Sequence, residues 1–307
     1  MATHELAADT LHYCWDNAIE PRLEIEPGDT VVFETRDASD GNVWTGFKNT
    51  PAPGHPLTGP IFVKGAEPGD ILEIEVLDVR TANRGWTSFQ PGRGLLPDDF
   101  TKRYLHIWDL SEKNVYNGWV EFQPGIRVPL EPFCGVMGVA WNEAGQFSTV
   151  PPRPAGGNMD IKQLTAGSRL QLPITVTGGL FSVGDCHAAQ GDGEVCITAI
   201  EADGRANLRF NLKKATRLAE PRFWIGKQAS GQIGEKGYFA TTAHYPDLRY
   251  ASQQAIRYML EYLVEHHHLE PEEAYILCSV AVDLKISQLV DAPNWTVSAF
   301  LPNAIFQ

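Results

Sequence analysis

The sequence predicts a β-rich α+β fold, in which repeated β-sandwich-like strand units precede a C-terminal helical hairpin packed on a sheet. Three observations carry this prediction. The 28 glycines and 21 prolines are spread along the chain between short runs of β-branched and apolar residues, which is typical of many strands joined by turns. One turn-and-strand phrase recurs. Apolar residues at helical spacing are concentrated in the C-terminal third.

The recurring phrase is a Pro-Gly-Asp turn followed by a strand. Residues 26–29 (EPGD) precede an apolar run at 30–35, and residues 67–70 (EPGD) precede another at 71–76, where apolar and acidic side chains alternate. A third segment, 166–176, has a similar rhythm. The repetition favours a β-sandwich built from two similar units, although the same phrase also opens many unrelated strands.

Two helices are predicted near the C-terminus. Between Pro246 and Leu263 apolar residues recur at three- and four-residue spacing, and a proline suits the first turn of a helix. A second helix is predicted to begin at Pro271, where acidic residues follow at the positive end, and its apolar face extends to Leu284. Together they form the helical hairpin.

The composition restricts the cellular locations and the classes of partner that are expected for this chain. The 25 Lys and Arg residues against 38 Asp and Glu residues give a net charge of −13, which argues against nucleic-acid and anionic-membrane partners because both need a basic face. No signal peptide is recognisable, no apolar run approaches about 18 residues, and the five cysteines form no CxxC pair. We expect a cytoplasmic protein with reduced thiols.

The domain organisation is predicted to be one unit over residues 1–307, because no linker or low-complexity stretch marks a boundary. This unit is either undivided or made of two interlocked β-rich subdomains, with an α+β part at about 210–307.

The densest polar segment is 184–194. If it begins as a strand, Asp185 and His187 lie on one face and can share a divalent metal. Glycines at 191 and 193 would let the backbone turn and bring Asp192 or Glu194 to the same point. The alternative is a tight hairpin in which the acids cap turns and the histidine is solvated.

Two other segments carry polar groups that could join such a site. In residues 37–42, Asp40 could leave a strand end and supply a third ligand, whereas Asp and Asn beside Gly are more typical of a turn. In residues 151–160 (PPRPAGGNMD), free amide N–H groups and Asn158 could hold a carbonyl oxygen, or the segment could be a polar connector. The GxSxG, P-loop, GxGxxG and HExxH signatures do not occur.

These segments, in this order, resemble the acetamidase/formamidase family over nearly the whole chain. The matching phrases lie at residues 12–16, 26–29, 37–41, 56–61, 65–70, 135–140, 156–160, 184–194 and 290–294. Two positions depart from the pattern: Cys186 replaces a proline or similar residue, and Asn42 replaces a glutamine. Both departures adjoin candidate site residues and could alter substrate preference.

The resemblance implies a homo-oligomeric amide hydrolase that releases ammonia from formamide or acetamide, small neutral substrates, with a divalent metal that we take to be zinc, or alternatively calcium. It implies the following roles: metal ligands Asp40, Asp185 and His187; acid–base residues Glu194 and Asp192; substrate-binding residues Asn42, Gly157, Asn158 and Gln190.

Three alternatives stay open. Cys186 could act as a nucleophile in place of metal-bound water. The substrate could be another linear or cyclic amide or ureide. The chain could also be a non-catalytic β-sandwich that binds a metal or a carbohydrate, because fold alone does not fix function.

Overall fold

The computed structural model describes residues 1–48, 52–93, 102–116, 118–123, 126–190, 194, 197–214, 217–226, 237–269 and 283–303. The strands, in chain order, are β1 (Thr3–Leu6), β2 (Leu11–His12), β3 (Cys14–Trp15), β4 (Leu23–Ile25), β5 (Thr30–Thr35), β6 (Leu57–Val63), β7 (Ile71–Thr81), β8 (Arg84–Phe89), β9 (Tyr104–Asp109), β10 (Val115–Tyr116), β11 (Trp119–Gln123), β12 (Ile126–Pro129), β13 (Phe133–Val139), β14 (Phe147–Ser148), β15 (Gly156–Asn158), β16 (Arg169–Pro173), β17 (Phe181–His187), β18 (Glu201–Ala202), β19 (Gly204–Lys213), β20 (Arg222–Ile225), β21 (Tyr238–Tyr245), β22 (Asp283–Gln288) and β23 (Trp295–Pro302). The described helices are a 3₁₀ turn, η1 (Asn42–Thr45), and α1 (Leu248–His267).

Two large sheets contain most of these strands, while β10, β11 and β12 form a small sheet and β14 pairs with β3. Sheet A has the order β1-β5-β19-β7-β16-β20-β21-β23-β22. Sheet B has the order β15-β13-β17-β18-β8-β9, and β6 also pairs with β17 and carries β2 and β4. Most neighbouring strands are antiparallel, but β1 pairs parallel with β5 and β4 pairs parallel with β6. The fold class predicted from the sequence, β-rich with sandwich-like units, is confirmed.

The main core lies between the two sheets. Phe33 on β5 and Phe210 on β19 come from sheet A, and Phe181 on β17 comes from sheet B. All three side chains are fully buried, and Phe181 lies edge-on to the other two, at 5.9 Å from Phe33 and 5.0 Å from Phe210 between ring centroids. Such aromatic contacts add to the burial of apolar area and hold the two sheets face to face.

Helix α1 covers the opposite face of sheet A. On β21, Phe239 packs against the helix while its neighbour Ala240 belongs to the core between the sheets, as the alternation of a strand requires. The helix begins after Asp247, whose side chain accepts a hydrogen bond from the Tyr250 backbone N–H at 2.7 Å. Asp247 is therefore the N-cap, which satisfies one of the free N–H groups of the first turn, and Pro246 lies before the helix and not in its first turn.

The second predicted helix falls largely on residues 270–282, outside the described residues. Its last predicted apolar position, Leu284, lies instead on strand β22, opposite Ala299 of β23. A helical assignment is therefore wrong at this position, because strand pairing with β23 overrides the spacing of apolar residues. Only α1 forms an α-helix within the described ranges, and none of their helices is long and apolar enough to span a membrane.

The two Pro-Gly-Asp turns have the same construction. The Asp29 carboxylate accepts a hydrogen bond from the Glu26 N–H at 3.1 Å, and the Asp70 carboxylate accepts one from the Glu67 N–H at 2.9 Å. The glycine between them has a φ of 97° in the first turn and 94° in the second. The strands that follow, β5 and β7, flank β19 on its two sides. The division of the chain into subdomains remains a prediction.

Candidate active site

The candidate site forms at the end of β17, in the middle of sheet B. Asp185 and His187 come from this strand, with the Asp185 Oδ1 atom 3.2 Å from the His187 Nε2 atom. Across the pairing of β17 with β18, His187 lies opposite Glu201, whose Oε2 atom is also 3.2 Å from that Nε2. The three side chains are at most 4% exposed. Two carboxylate oxygens therefore converge on one imidazole nitrogen inside the protein.

A second group of acids shares this histidine. One ligand atom each of Asp160, His187 and Glu194 lie within 4.8 Å of one another, and all three residues are buried. Asp160 follows strand β15, two residues after Asn158. The Asn158 side-chain amide donates to Asp291 Oδ2 at 2.6 Å, so the segment between β22 and β23 of sheet A also reaches this region.

Gly135 on β13 lies directly against these ligand atoms. A Cβ atom at this position would be 2.5 Å from Asp160 Oδ1, 2.9 Å from His187 Cε1 and 3.0 Å from Asp185 Oδ2. The Gly135 carbonyl also accepts hydrogen bonds from the N–H groups of Met159 and Asp160. The missing side chain therefore lets both groups of ligands approach the same stretch of backbone.

The donor atoms fit a divalent metal. Asp185 Oδ1, His187 Nε2 and Glu201 Oε2 are all buried and make no hydrogen bond of acceptable geometry to the described part of the chain, and Asp160 Oδ1 shares this property. A buried polar atom without a hydrogen bond costs free energy, and a bound cation would satisfy all of these atoms together. The three residues Asp185, His187 and Glu201, or the group with Asp160 and Glu194, could hold such an ion.

The pKa values of these residues show that several buried carboxylates lie close together around His187. Burial raises the pKa of Glu201 to about 7, and burial with the neighbouring Glu194 and Asp291 raises the pKa of Asp160 well above its usual value. Burial acts to lower the pKa of His187, but the carboxylates of Glu201 and Asp185 outweigh it and raise that pKa. Burial alone would raise the pKa of Asp185, yet the nearby histidines hold it below its usual value. A divalent cation would relieve this repulsion.

Several predicted site residues lie at or beside these groups. Gln190 Oε1 is 3.0 Å from His187 Nδ1, and its amide donates to the Asp160 carbonyl at 2.8 Å, so it contacts the histidine. Gly157 lies on β15 with a φ of 100°, and a Cβ there would be 3.6 Å from the indole nitrogen of Trp15.

Other predicted residues lie elsewhere. Asp40 is exposed and accepts a hydrogen bond from the Tyr13 hydroxyl at 2.8 Å, so the structure does not bring it into either group of candidate ligands. The alternative of a turn fits its left-handed φ of 50°. Asn42 begins the turn η1, where its side-chain carbonyl accepts a hydrogen bond from the Thr45 hydroxyl. Asp192 lies outside the described residues.

Cys186 faces away from the candidate ligands. Its side chain is fully buried in the core between the sheets, where it lies opposite Cys134 of β13. The contact with Cys134 and the burial raise the pKa of the Cys186 thiol well above its usual value. A nucleophilic thiolate is disfavoured there.

Sequence reasoning missed Glu201 as a candidate ligand. It lies 14 positions after His187 in the chain, and only the pairing of β18 with β17 places the two side by side. The signal that could have found it is the strand pattern on both sides of the polar segment, which predicts a β-hairpin and so an acid opposite the histidine.

Known proteins with similar sequences belong to the family that the sequence motifs resemble. Residues 2–144 and 141–307 match the model of the Acetamidase/Formamidase family. The formamidase of Methylophilus methylotrophus is 28% identical over 364 aligned positions, which cover 97% of this chain and 89% of that protein.

Two solved structures share the fold over nearly the whole length of this chain. The crystal structure of a predicted acetamidase/formamidase from Thermoanaerobacter tengcongensis superimposes with a TM-score of 0.89 at 29% identity and covers 99% of this chain and 97% of that one. An acetamidase from Bacillus halodurans gives a TM-score of 0.85 at 31% identity, with 98% of each chain covered. With the family model matched from residue 2 to residue 307 and the fold shared from end to end, the chain belongs to the acetamidase/formamidase family.

Proposed function

We propose that this protein hydrolyses the C–N bond of short aliphatic amides such as formamide and acetamide, and releases a carboxylate and ammonia. In this proposal Asp185, His187 and Glu201 hold a divalent cation. The observation that carries it is the convergence of the Asp185 and Glu201 oxygens on His187 Nε2, in a chain that belongs to this family. Glu201 is the third ligand in this proposal, a role for which the sequence had suggested Asp40.

Zinc is the cation that we propose. Zinc bound by nitrogen and carboxylate oxygen has bond lengths of about 2.0–2.1 Å, so tetrahedral ligand atoms lie about 3.3 Å apart. The two ion-pair separations of 3.2 Å at His187 Nε2 are close to the spacing that zinc would require of its ligands. Calcium prefers six to eight oxygen ligands, and an imidazole in the donor set does not suit it.

The site must meet three demands of amide hydrolysis: a polarised carbonyl, a nucleophile near neutral pH and a protonated leaving nitrogen. A divalent cation held here would supply the first two, because it acts as a Lewis acid and lowers the pKa of bound water to about 7. The protein residues supply the third. They also hold the substrate and keep bulk water away, since the side chains of Asp185, His187 and Glu201 are almost fully buried.

Glu194 carries the proton in this proposal. It is 6% exposed and lies beside Asp160 and His187, and burial raises its pKa well above the usual value of a glutamate. A carboxyl group whose pKa lies nearer neutrality can accept the proton of the attacking water and return it to the departing nitrogen. Asp192 stays the alternative residue for this step.

The substrate amide is held by the segment that contains Gly157 and Asn158. A role of Asn42 in substrate binding stays a prediction. Asn158 Oδ1 is buried and without a partner in the described ranges, although its NH₂ group is bonded to Asp291 and to the Val150 carbonyl. An unpaired carbonyl oxygen can accept a hydrogen bond from the NH₂ group of an amide, which an ester or an acid lacks.

The test combines metal content with turnover. The protein is purified without a His-tag and its zinc is measured. Ammonia release from formamide and acetamide, and ring opening of a lactam to its amino acid, are assayed before and after chelation. We expect one zinc per chain and activity that is lost on chelation and restored by zinc. Full activity without metal would refute the role of the cation. Ring opening of the lactam with no ammonia from either linear amide would refute the proposed substrate class.

We further propose a cytoplasmic location and a homo-oligomer. The three described cysteines, Cys14, Cys134 and Cys186, are free thiols, which suits a reducing compartment. Strand β22 is an end strand of sheet A and exposes the apolar side chains of Leu284 and Ile286, which a second subunit could cover. Light scattering on the purified protein tests the oligomer, and a monomer would refute it.

A further inference from the structure

We propose that Gln190 is a positioning residue, which fixes the imidazole of His187 so that Nε2 faces Asp185 and Glu201 before any cation binds. The proposal rests on the proposed function, because it concerns the same cation site. It also replaces the role of substrate binding that the sequence suggested for Gln190. The glutamine acts through the histidine and does not itself touch the substrate.

The orientation of the Gln190 amide follows from its neighbour. One end of the amide lies 2.8 Å from the main-chain carbonyl oxygen of Asp160. A carbonyl oxygen has no proton and can only accept, so the NH₂ group must point to it. The Oε1 atom is therefore the end that lies 3.0 Å from Nδ1 of His187.

The position of the imidazole proton follows in turn. Because Oε1 can only accept a hydrogen bond, Nδ1 of His187 must carry the proton and donate it. A neutral imidazole then has its lone pair on Nε2. That atom is 3.2 Å from Asp185 Oδ1 and 3.2 Å from Glu201 Oε2. Two carboxylate oxygens beside Nε2 favour positive charge at this atom, which is a proton in the imidazolium form and a bound cation when the ring is neutral.

The ring also has little freedom to leave this orientation. The Phe133 ring lies edge-on to the imidazole, with 5.0 Å between centroids and an angle of 87°, and the His187 side chain is 1% exposed. Gln190 fixes the Nδ1 edge of the imidazole and links it by hydrogen bonds to the backbone of Asp160, a member of the second acidic group. One glutamine therefore aligns the histidine with both groups of candidate ligands.

The first test measures zinc affinity by competition with a chelator. Gln190→Met keeps the length of the side chain but removes the amide, and we expect zinc to bind about 10–100-fold more weakly. Gln190→Glu keeps an acceptor for Nδ1–H and should retain most of the affinity. Gln171→Met is the matched control, since Gln171 is a buried glutamine of sheet A that bonds Glu73 and Arg222. We expect its zinc affinity to equal that of the wild type.

The second test observes the imidazole itself, by NMR of protein with ¹⁵N-labelled histidine. His187 should carry a slowly exchanging proton on Nδ1, with and without zinc, and Gln190→Met should lose this signal while Gln190→Glu keeps it. An unprotonated Nδ1 in the wild type, or unchanged zinc affinity in Gln190→Met, would overturn the proposal. If the wild type binds no zinc, the proposed ligand set fails, whereas the Nδ1 signal of the metal-free protein still decides the role of Gln190.

Discussion

A methyl group at Gly135 is the sharpest perturbation that the structure offers. The Cβ of Gly135→Ala would lie 2.5 Å from Asp160 Oδ1, 2.9 Å from His187 Cε1 and 3.0 Å from Asp185 Oδ2, all closer than ordinary van der Waals contact. The conformation of Gly135 is not left-handed, so the alanine causes no backbone strain of that kind. The effect therefore comes from the displacement of the ligand atoms.

The expected magnitude has two parts. Overpacking of a tight site costs about 1–3 kcal/mol in the free energy of unfolding. Displaced ligands should weaken zinc binding about 10–100-fold, which corresponds to about 1.4–2.7 kcal/mol. Misplacement on the scale of 1 Å can also reduce kcat/KM by about 10²-fold. The two effects are separable because unfolding can be measured without zinc.

The assay compares three proteins by urea unfolding in chelator, by zinc competition and by ammonia release. Gly226→Ala is the control, since a Cβ there would lie 2.7 Å from the Gly167 carbonyl oxygen. Gly226 directly follows β20 and Gly167 precedes β16, both strands of sheet A, and neither glycine is a neighbour of the candidate ligands. We expect both variants to lose stability but only Gly135→Ala to lose zinc affinity. Zinc affinity of Gly135→Ala within twofold of the control would refute the placement of the ligands against this strand.

Three further predictions address catalysis, pH dependence and the helix. Glu194→Gln should retain its zinc but lose about 10²–10⁴-fold in kcat, and full turnover with bound metal would exclude Glu194 as the proton carrier. Burial raises the pKa of Glu220 from 4.5 to about 7, so the stability that its protonated form contributes is complete below pH 4.5 and is lost as the pH rises through 7. The unfolding free energy of the wild type should therefore fall by about 2–3 kcal/mol relative to Glu220→Gln between pH 5 and 8, and parallel pH profiles in urea unfolding would contradict this. Asp247→Ala removes the cap on the Tyr250 N–H and should cost about 1 kcal/mol at the start of α1, whereas an unchanged urea midpoint would show that the cap contributes nothing.

The elements that the sequence predicted well are those fixed by local chemistry. Each Pro-Gly-Asp turn is closed by its own aspartate, at Asp29 and Asp70, so three or four adjacent residues determine it. Helix α1 has a continuous apolar face that ends in buried Met259 and Leu263. At Leu284 the helical spacing of apolar residues predicted a helix, but the residue lies on a strand. The strand forms because it is hydrogen-bonded to β23, and the local sequence does not show this pairing.

The candidate site divides in the same way. Asp185 and His187 are two residues apart, so their proximity could be predicted from a strand period alone. Glu201 depends on the pairing of β17 with β18, and Asp160 depends on hydrogen bonds from its N–H to Gly135 in β13. Asp40 follows β5, a strand of sheet A, and its side chain accepts a hydrogen bond from Tyr13. Its place in an acidic turn after a strand could not show in which direction the side chain points.

Backbone conformation adds a property of the site that no pattern of residue types reveals. Asp160, Asp185 and Glu194 have φ values of 49°, 57° and 45°, in the left-handed region that side chains other than glycine rarely adopt. Each such residue costs about 1–3 kcal/mol and persists only where the surrounding structure imposes it. Asp185 and Glu201, which lie on neighbouring strands, both place a carboxylate oxygen 3.2 Å from His187 Nε2. The strain therefore lies at the candidate ligands themselves, and cation binding would be the interaction that offsets it.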